Sequence, residues 1–159
     1  MTLFCPDFGI FWFTQQDVES GAWLLNSGAT NHMTFTTTDF TQTSLPRRSN
    51  IVNTNCVTSL VTRAGTVKLS PSLQLHNTLL MPSLLYKLLS VSQITIDLNF
   101  TVLFYSNFCL IQDILTKEII GRGTKRGGLY HMEDFSIGRA HFTHLFTSNK
   151  EQQILLWRC

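Results

Sequence analysis

The residues of this chain best suited to chemistry lie in one string, Trp23-Leu24-Leu25-Asn26-Ser27-Gly28-Ala29-Thr30-Asn31-His32-Met33. An apolar strand that runs into a small-residue turn fixes the turn in space. Glycine there admits close backbone approach, and the hydroxyl holds the turn by hydrogen bonds. A carboxylate at the first turn position, facing a second one, would share a proton with it and activate a water between them. That position holds Asn26, whose carboxamide carries neither the charge nor the titratable proton that water activation requires. Only one Asn/Asp-Ser/Thr-Gly triplet occurs in the chain, so a paired site would need two copies. Taken alone, Asn-Ser-Gly is an ordinary turn.

The other reactive side chains read more plainly. His32 lies in the same loop and reads as a solvated turn residue rather than a base. His141 and His144 have a metal-like i, i+3 spacing but no visible third or fourth ligand, so no metal site is expected, and no cofactor. Cys5, Cys56, Cys109 and Cys159 are too far apart for a C-x-x-C clip, which favours a reduced, cytoplasmic compartment over a disulfide framework. Cys109, between Phe108 and Leu110, reads as a buried thiol. Arg122, Lys125 and Arg126 read as a solvated hairpin tip.

The elements that position the turn follow from composition and period. The 159 residues fit one domain with ends attached. A net charge of +2 with 14% charged residues gives no field for a nucleic-acid or membrane partner. A hydrophobic share of 43% and a mean hydropathy of +0.09 suffice to fill a core. Thr, Ile and Val together supply 37 β-branched residues, which lean the chain toward strand. The apolar run Phe8 to Phe13 is too short for a membrane span.

Along the chain, residues 44–50 read as a solvated connection and Ile51 to Leu60 as a weak strand broken by Asn53 and Asn55. Val67, Leu69, Leu73 and Leu75 alternate as an inward face, with Pro71 demanding an edge or a bend. Ser90 opens a helix to Leu98, with Gln93 completing a capping box. Strands FTVLFYS and FCLIQD turn at Ser106-Asn107, and KEIIGRG leads through Gly127-Gly128 into LYHM.

At this level of detail the chain resembles a known family. WLLNSGATNHMT is similar to the WLIDSGATxHMT of the protease region in the Pol polyprotein of copia-type LTR retrotransposons. GTVKLSPSLQLHNTLLMPSLLYKLLSVSQIT resembles that family's GxVxLSPSLxLxxVLxVPxLxxNLLSVSxLT, and FTVLFYSNFCLIQDILTKEIIGRGTKRGGLYHM resembles its VxFxxxxCxxQDxxTxxxIGxGxxxGGLYxL. The likeness is nearly collinear from Trp23 to Met132.

The resemblance implies an all-β fold, a retropepsin-like closed acid-protease barrel with one short helix. It implies an aspartic endopeptidase that processes its polyprotein as a homodimer, active-site turns facing each other and polyprotein peptide as substrate. The family's catalytic Asp falls on Asn26, with Ser27 and Gly28 beside it and Ala29 and Thr30 on the substrate side. Its Asn-Leu-Leu-Ser, which cradles the catalytic loop, falls on Lys87, Leu88, Leu89 and Ser90. Its substrate-covering flap turn falls on Thr54-Asn55-Cys56, where Cys56 replaces a glycine, and a second family glycine is Arg63.

These departures imply a degenerate copy with proteolysis lost, leaving a peptide-binding or structural barrel module as the alternative. The expected divisions are a leader over 1–21, the barrel over 22–132 and a truncated pre-integrase-like tail over 133–159. In that tail Trp157 matches a Leu-Trp-His zinc motif whose His is Arg158.

Overall fold

The computed structural model describes residues 21–52 and 57–135. The leader, positions 53–56 and the tail from 136 lie outside the described residues. With them lie the expectations for Asn55, Cys56, His141, His144 and Trp157.

The chain opens with β1 (Trp23–Asn26), the two-residue β2 (Met33–Thr34), a 3-10 turn (Thr37–Asp39) and β3 (Phe40–Ser44). β4 (Asn50–Val52) and β5 (Thr58–Leu60) pair antiparallel in a small sheet of their own. The stretch 51–60, expected as a weak strand broken by Asn53 and Asn55, holds these two strands on either side of positions 53–56. β6 (Arg63–Ser70) and β7 (Leu73–Leu80) form the longest hairpin. The chain reverses at Pro71-Ser72 rather than bending within one strand, because proline pre-sets the corner of a turn and cannot donate to a ladder.

Val67 pairs with Leu75, so the alternating apolar residues still share one inward face. At Gly65 the backbone carbonyl of Gln42 on β3 sits where a Cβ would be, and only glycine allows β3 to cross there.

After Pro82 come β8 (Lys87–Ser90) and helix α1 (Val91–Asp97). Ser90 caps α1 by accepting from the Gln93 amide, and the helix ends at Leu98 with Asn99 in the left-handed region at φ 56°. β9 (Phe100–Phe104), β10 (Phe108–Asp113), β11 (Ile119–Arg126) and β12 (Leu129–Asp134) complete an antiparallel run. Gly127 and Gly128, at φ 55° and 83°, make the tight β11–β12 turn that only residues tolerant of positive φ accept.

The described residues are mostly strand with one short helix, an all-β fold. Ten strands form one sheet in the order β3-β6-β7-β2-β8-β1-β12-β11-β10-β9. Two pairings are parallel, β1 with β8 and β2 with β7. The sheet curls, because residues from both wings meet in one core: Val67, Leu73 and Leu75 from β6 and β7 pack with Phe100, Cys109 and Ile111 from β9 and β10. Trp23, Leu25, Leu89 and Ile94 fill the same core from the centre. Among the described residues no ladder joins the edge strands β3 and β9, so the curl is not closed by hydrogen bonds. No helix among them is long and apolar enough to cross a membrane.

Candidate active-site turn

The turn at Asn26 leaves the end of β1, the central strand, whose Trp23, Leu24 and Leu25 are buried. Below it runs β8, with the register Leu24 to Leu88, Leu25 to Leu89 and Asn26 to Ser90. Lys87 through Ser90 therefore cradle the turn, as the resemblance implies, by pairing parallel to the strand that carries it.

The Asn26 carboxamide closes the turn on itself. Its Oδ1 accepts from the backbone N–H of Gly28 at 2.8 Å and of Ala29 at 3.1 Å. Two donors on one oxygen dictate the orientation of the amide, so its NH2 group points away from them and offers only donors. A carboxylate at this position would accept the same two N–H bonds and keep its second oxygen free for a water. Ser27, Gly28 and Thr30 are exposed, and Thr30 Oγ1 bonds Asn31 Oδ1 at 3.2 Å. Ala29 is buried, with its carbonyl turned inward. Among the described residues, a Cβ on Gly28 would meet only Asn26 Oδ1, at 3.4 Å, an ordinary contact.

Beneath the surface the turn is held by a network of neutral groups. Ser90 Oγ donates to the Ala29 carbonyl at 2.7 Å and accepts from the Gln93 amide at 3.2 Å, so one hydroxyl serves the turn and caps α1. The Ser90 amide donates to His32 Nδ1 at 3.0 Å. The His32 amide in turn donates to Gln93 Oε1 at 2.7 Å. His32 is only 2% exposed, which overturns its reading as a solvated turn residue: β2 inserts between β7 and β8 and carries the imidazole inside with it. Burial pushes the ring down to about 4, which keeps it neutral and excludes it as a ready base near neutral pH.

A second anchor lies at the other end of β2. Asp39 accepts from Thr34 Oγ1 at 2.6 Å and pairs with Lys87 Nζ at 3.0 Å. Lys87 also lies over the rings of Trp23 and Phe35, at 5.8 and 5.9 Å. The lysine that stands at the family's asparagine position thus ties β8 to the 3-10 turn.

The remaining reactive residues lie elsewhere. Cys109 is fully buried, its thiol pushed up to about 12 by burial, which makes it inert packing. Lys125 and Arg126 are exposed at a hairpin tip, engaged with Tyr130 and Glu133. Arg122 departs from the solvated tip expected of it: it lies mid-strand over Phe108 at 5.8 Å, half-buried, its Nε without a hydrogen-bond partner among the described residues. Among the described residues no three His, Cys, Asp or Glu side chains are grouped as metal ligands.

Ser90 was legible as a helix cap and, through the resemblance, as part of the cradle; the expected capping box is only half made, because Gln93 Oε1 takes the His32 amide while the Ser90 amide goes to His32 Nδ1, and those contacts left no mark in the sequence. No curated protein and no solved structure matches the chain. Residues 23–98, from β1 through α1, match the family model described as Pol polyprotein, beta-barrel domain, and this part of the chain is a Pol polyprotein region.

Proposed function

We propose that the chain is the protease-like domain of a degenerate copia-type Pol polyprotein, a retropepsin-like barrel that works in the cytoplasm as a homodimer and no longer cuts peptides. The carrying observation is the Asn26 carboxamide, whose only acceptor atom is engaged by the Gly28 and Ala29 amides. Its free NH2 group cannot take a proton from water, and a homodimer repeats the defect in both copies. The parallel β1–β8 support and the exposure of Ser27, Gly28 and Thr30 suit a turn that faces an identical turn across a two-fold axis.

A second reading, a peptide-binding or structural module of the polyprotein, draws on the β4–β5 sheet. Val52, Val57 and Leu60 there are more than half exposed, apolar groups that a bound strand or a partner subunit would cover.

Light scattering across a dilution series tests the dimer, and Asn26→Asp tests the assignment of the site. The single substitution should restore weak cleavage of a fused polyprotein junction, with better recovery when Cys56 and Arg63 are also changed to Gly. A monomer at every concentration, with no gain of cleavage in any of these variants, would leave the peptide-binding module as the better reading.

A further inference from the structure

His32 sits where three elements meet at the base of the turn. Its Nδ1 accepts from the Ser90 amide at 3.0 Å, its own amide donates to Gln93 Oε1 at 2.7 Å, and its carbonyl accepts from the Leu79 amide at 2.9 Å. Ser90 is also the residue whose hydroxyl holds the Ala29 carbonyl, at 2.7 Å. An acceptor at Nδ1 requires the neutral ring with its proton on Nε2. Protonation places an N–H at Nδ1, directly opposite the N–H of Ser90, and two donors cannot bond.

We propose that the His32–Ser90 contact is an acid-released latch: protonating the imidazole frees the Ser90 amide and, through the Ser90 hydroxyl, loosens the Asn26 turn while the sheet stays folded. The latch is independent of whether the turn ever catalysed a reaction.

The surroundings leave the charged ring without support. β1, β2 and the turn between them carry no other ionisable side chain. On β8, Lys87 is engaged with Asp39, which also accepts from Thr34 of β2. On α1, Asp97 is reached by Gln93 Nε2 at 3.5 Å. On β7, His76 bonds Thr66 Oγ1 at 3.3 Å. None of these groups bonds the His32 ring, so among the described residues an imidazolium there has no carboxylate partner and burial opposes its charge. The cheapest response to acid is to open the one bond that requires the neutral form.

The test is nuclear magnetic resonance on the isotope-labelled full chain. Ring nitrogen shifts report the protonation of His32, while amide hydrogen exchange is followed at Ser90, Gly28 and Ala29, with Ile111 on β10 as reference. The latch predicts that Ser90 protection falls about tenfold per pH unit between about pH 6 and 4. Throughout, it should stay at least about tenfold below that of Ile111, with Gly28 and Ala29 following.

In His32→Asn, which keeps a neutral acceptor that cannot titrate, the slope should vanish. The proposal is overturned by a flat Ser90 profile through ring protonation, by Ser90 protection equal to that of Ile111 at every pH, or by an unchanged slope in His32→Asn. Should that variant fail to fold, the parent chain's Ser90 profile against the ring titration decides alone.

Discussion

Replacing Ser90 by Ala removes one oxygen and should cost far more than a surface hydroxyl. Ser90 is fully buried, and its Oγ both donates to the Ala29 carbonyl and accepts from the Gln93 amide. Loss of an N-cap hydroxyl costs about 1 kcal/mol. Among the described residues the Ala29 carbonyl would keep only the longer contact from Ser92 Oγ, at 3.5 Å, and a buried acceptor left so poorly paired adds about 1–2 kcal/mol. The sum is about 2–3 kcal/mol, large against a typical total of roughly 5–15 kcal/mol. Urea unfolding at pH 7 should show a midpoint lowered by about 1–2 M with an unchanged slope. Amide exchange should place the damage locally, with Gly28 and Ala29 losing more protection than the β10 amides. A loss below about 0.5 kcal/mol, the scale of an ordinary surface change, would refute the idea that this hydroxyl holds the turn.

Acid should destabilise the whole domain through His32 with a definite sign. Burial lowers the folded-state value from 6.5 to about 4, so the unfolded chain binds more protons between those values. The neutral ring's contribution is complete above about pH 6.5 and is lost as pH falls toward 4, by about 3 kcal/mol, read as the parent-minus-His32→Asn difference in urea stability across pH. A fragment of residues 21–98 should fail to fold although it contains the entire family match. Without β12 the central strand β1 loses a neighbour, and the core loses Phe100, Cys109, Ile111, Ile120 and Met132. Circular dichroism and denaturant titration of that fragment beside residues 21–135 would check this, and cooperative unfolding of the shorter one would contradict it.

Local rules carried some of the fold into view. The alternation at Val67, Leu73 and Leu75, the Ser90 cap with Gln93, and the Gly127-Gly128 turn each depend on neighbours within a few residues, and each is found in the structure. What depended on partners distant in the chain was hidden. β2 is two residues long and has no period to read, yet it pairs with both β7 and β8 and so carries His32 inside. Polar neighbours such as Asn31 and Thr30 made that histidine read as solvated. Arg122 looked like part of a basic tip because Lys125 and Arg126 follow it; only the β10–β11 register sets it over Phe108. The chemical reading of Asn26 needed no fold, since the residue type alone removes the acid, but the locking of its oxygen by Gly28 and Ala29 needed coordinates.

The most direct measurement is hydrolysis itself. The parent chain, fused to a polyprotein junction and held at about pH 4–6, where a carboxylate pair would share one proton, should show no cleavage. Mass spectrometry must confirm in the same sample that residue 26 is still Asn. Robust, pepstatin-sensitive cleavage by that verified protein would mean that an acid comes from elsewhere, and the assignment of the site to Asn26 would have to be abandoned.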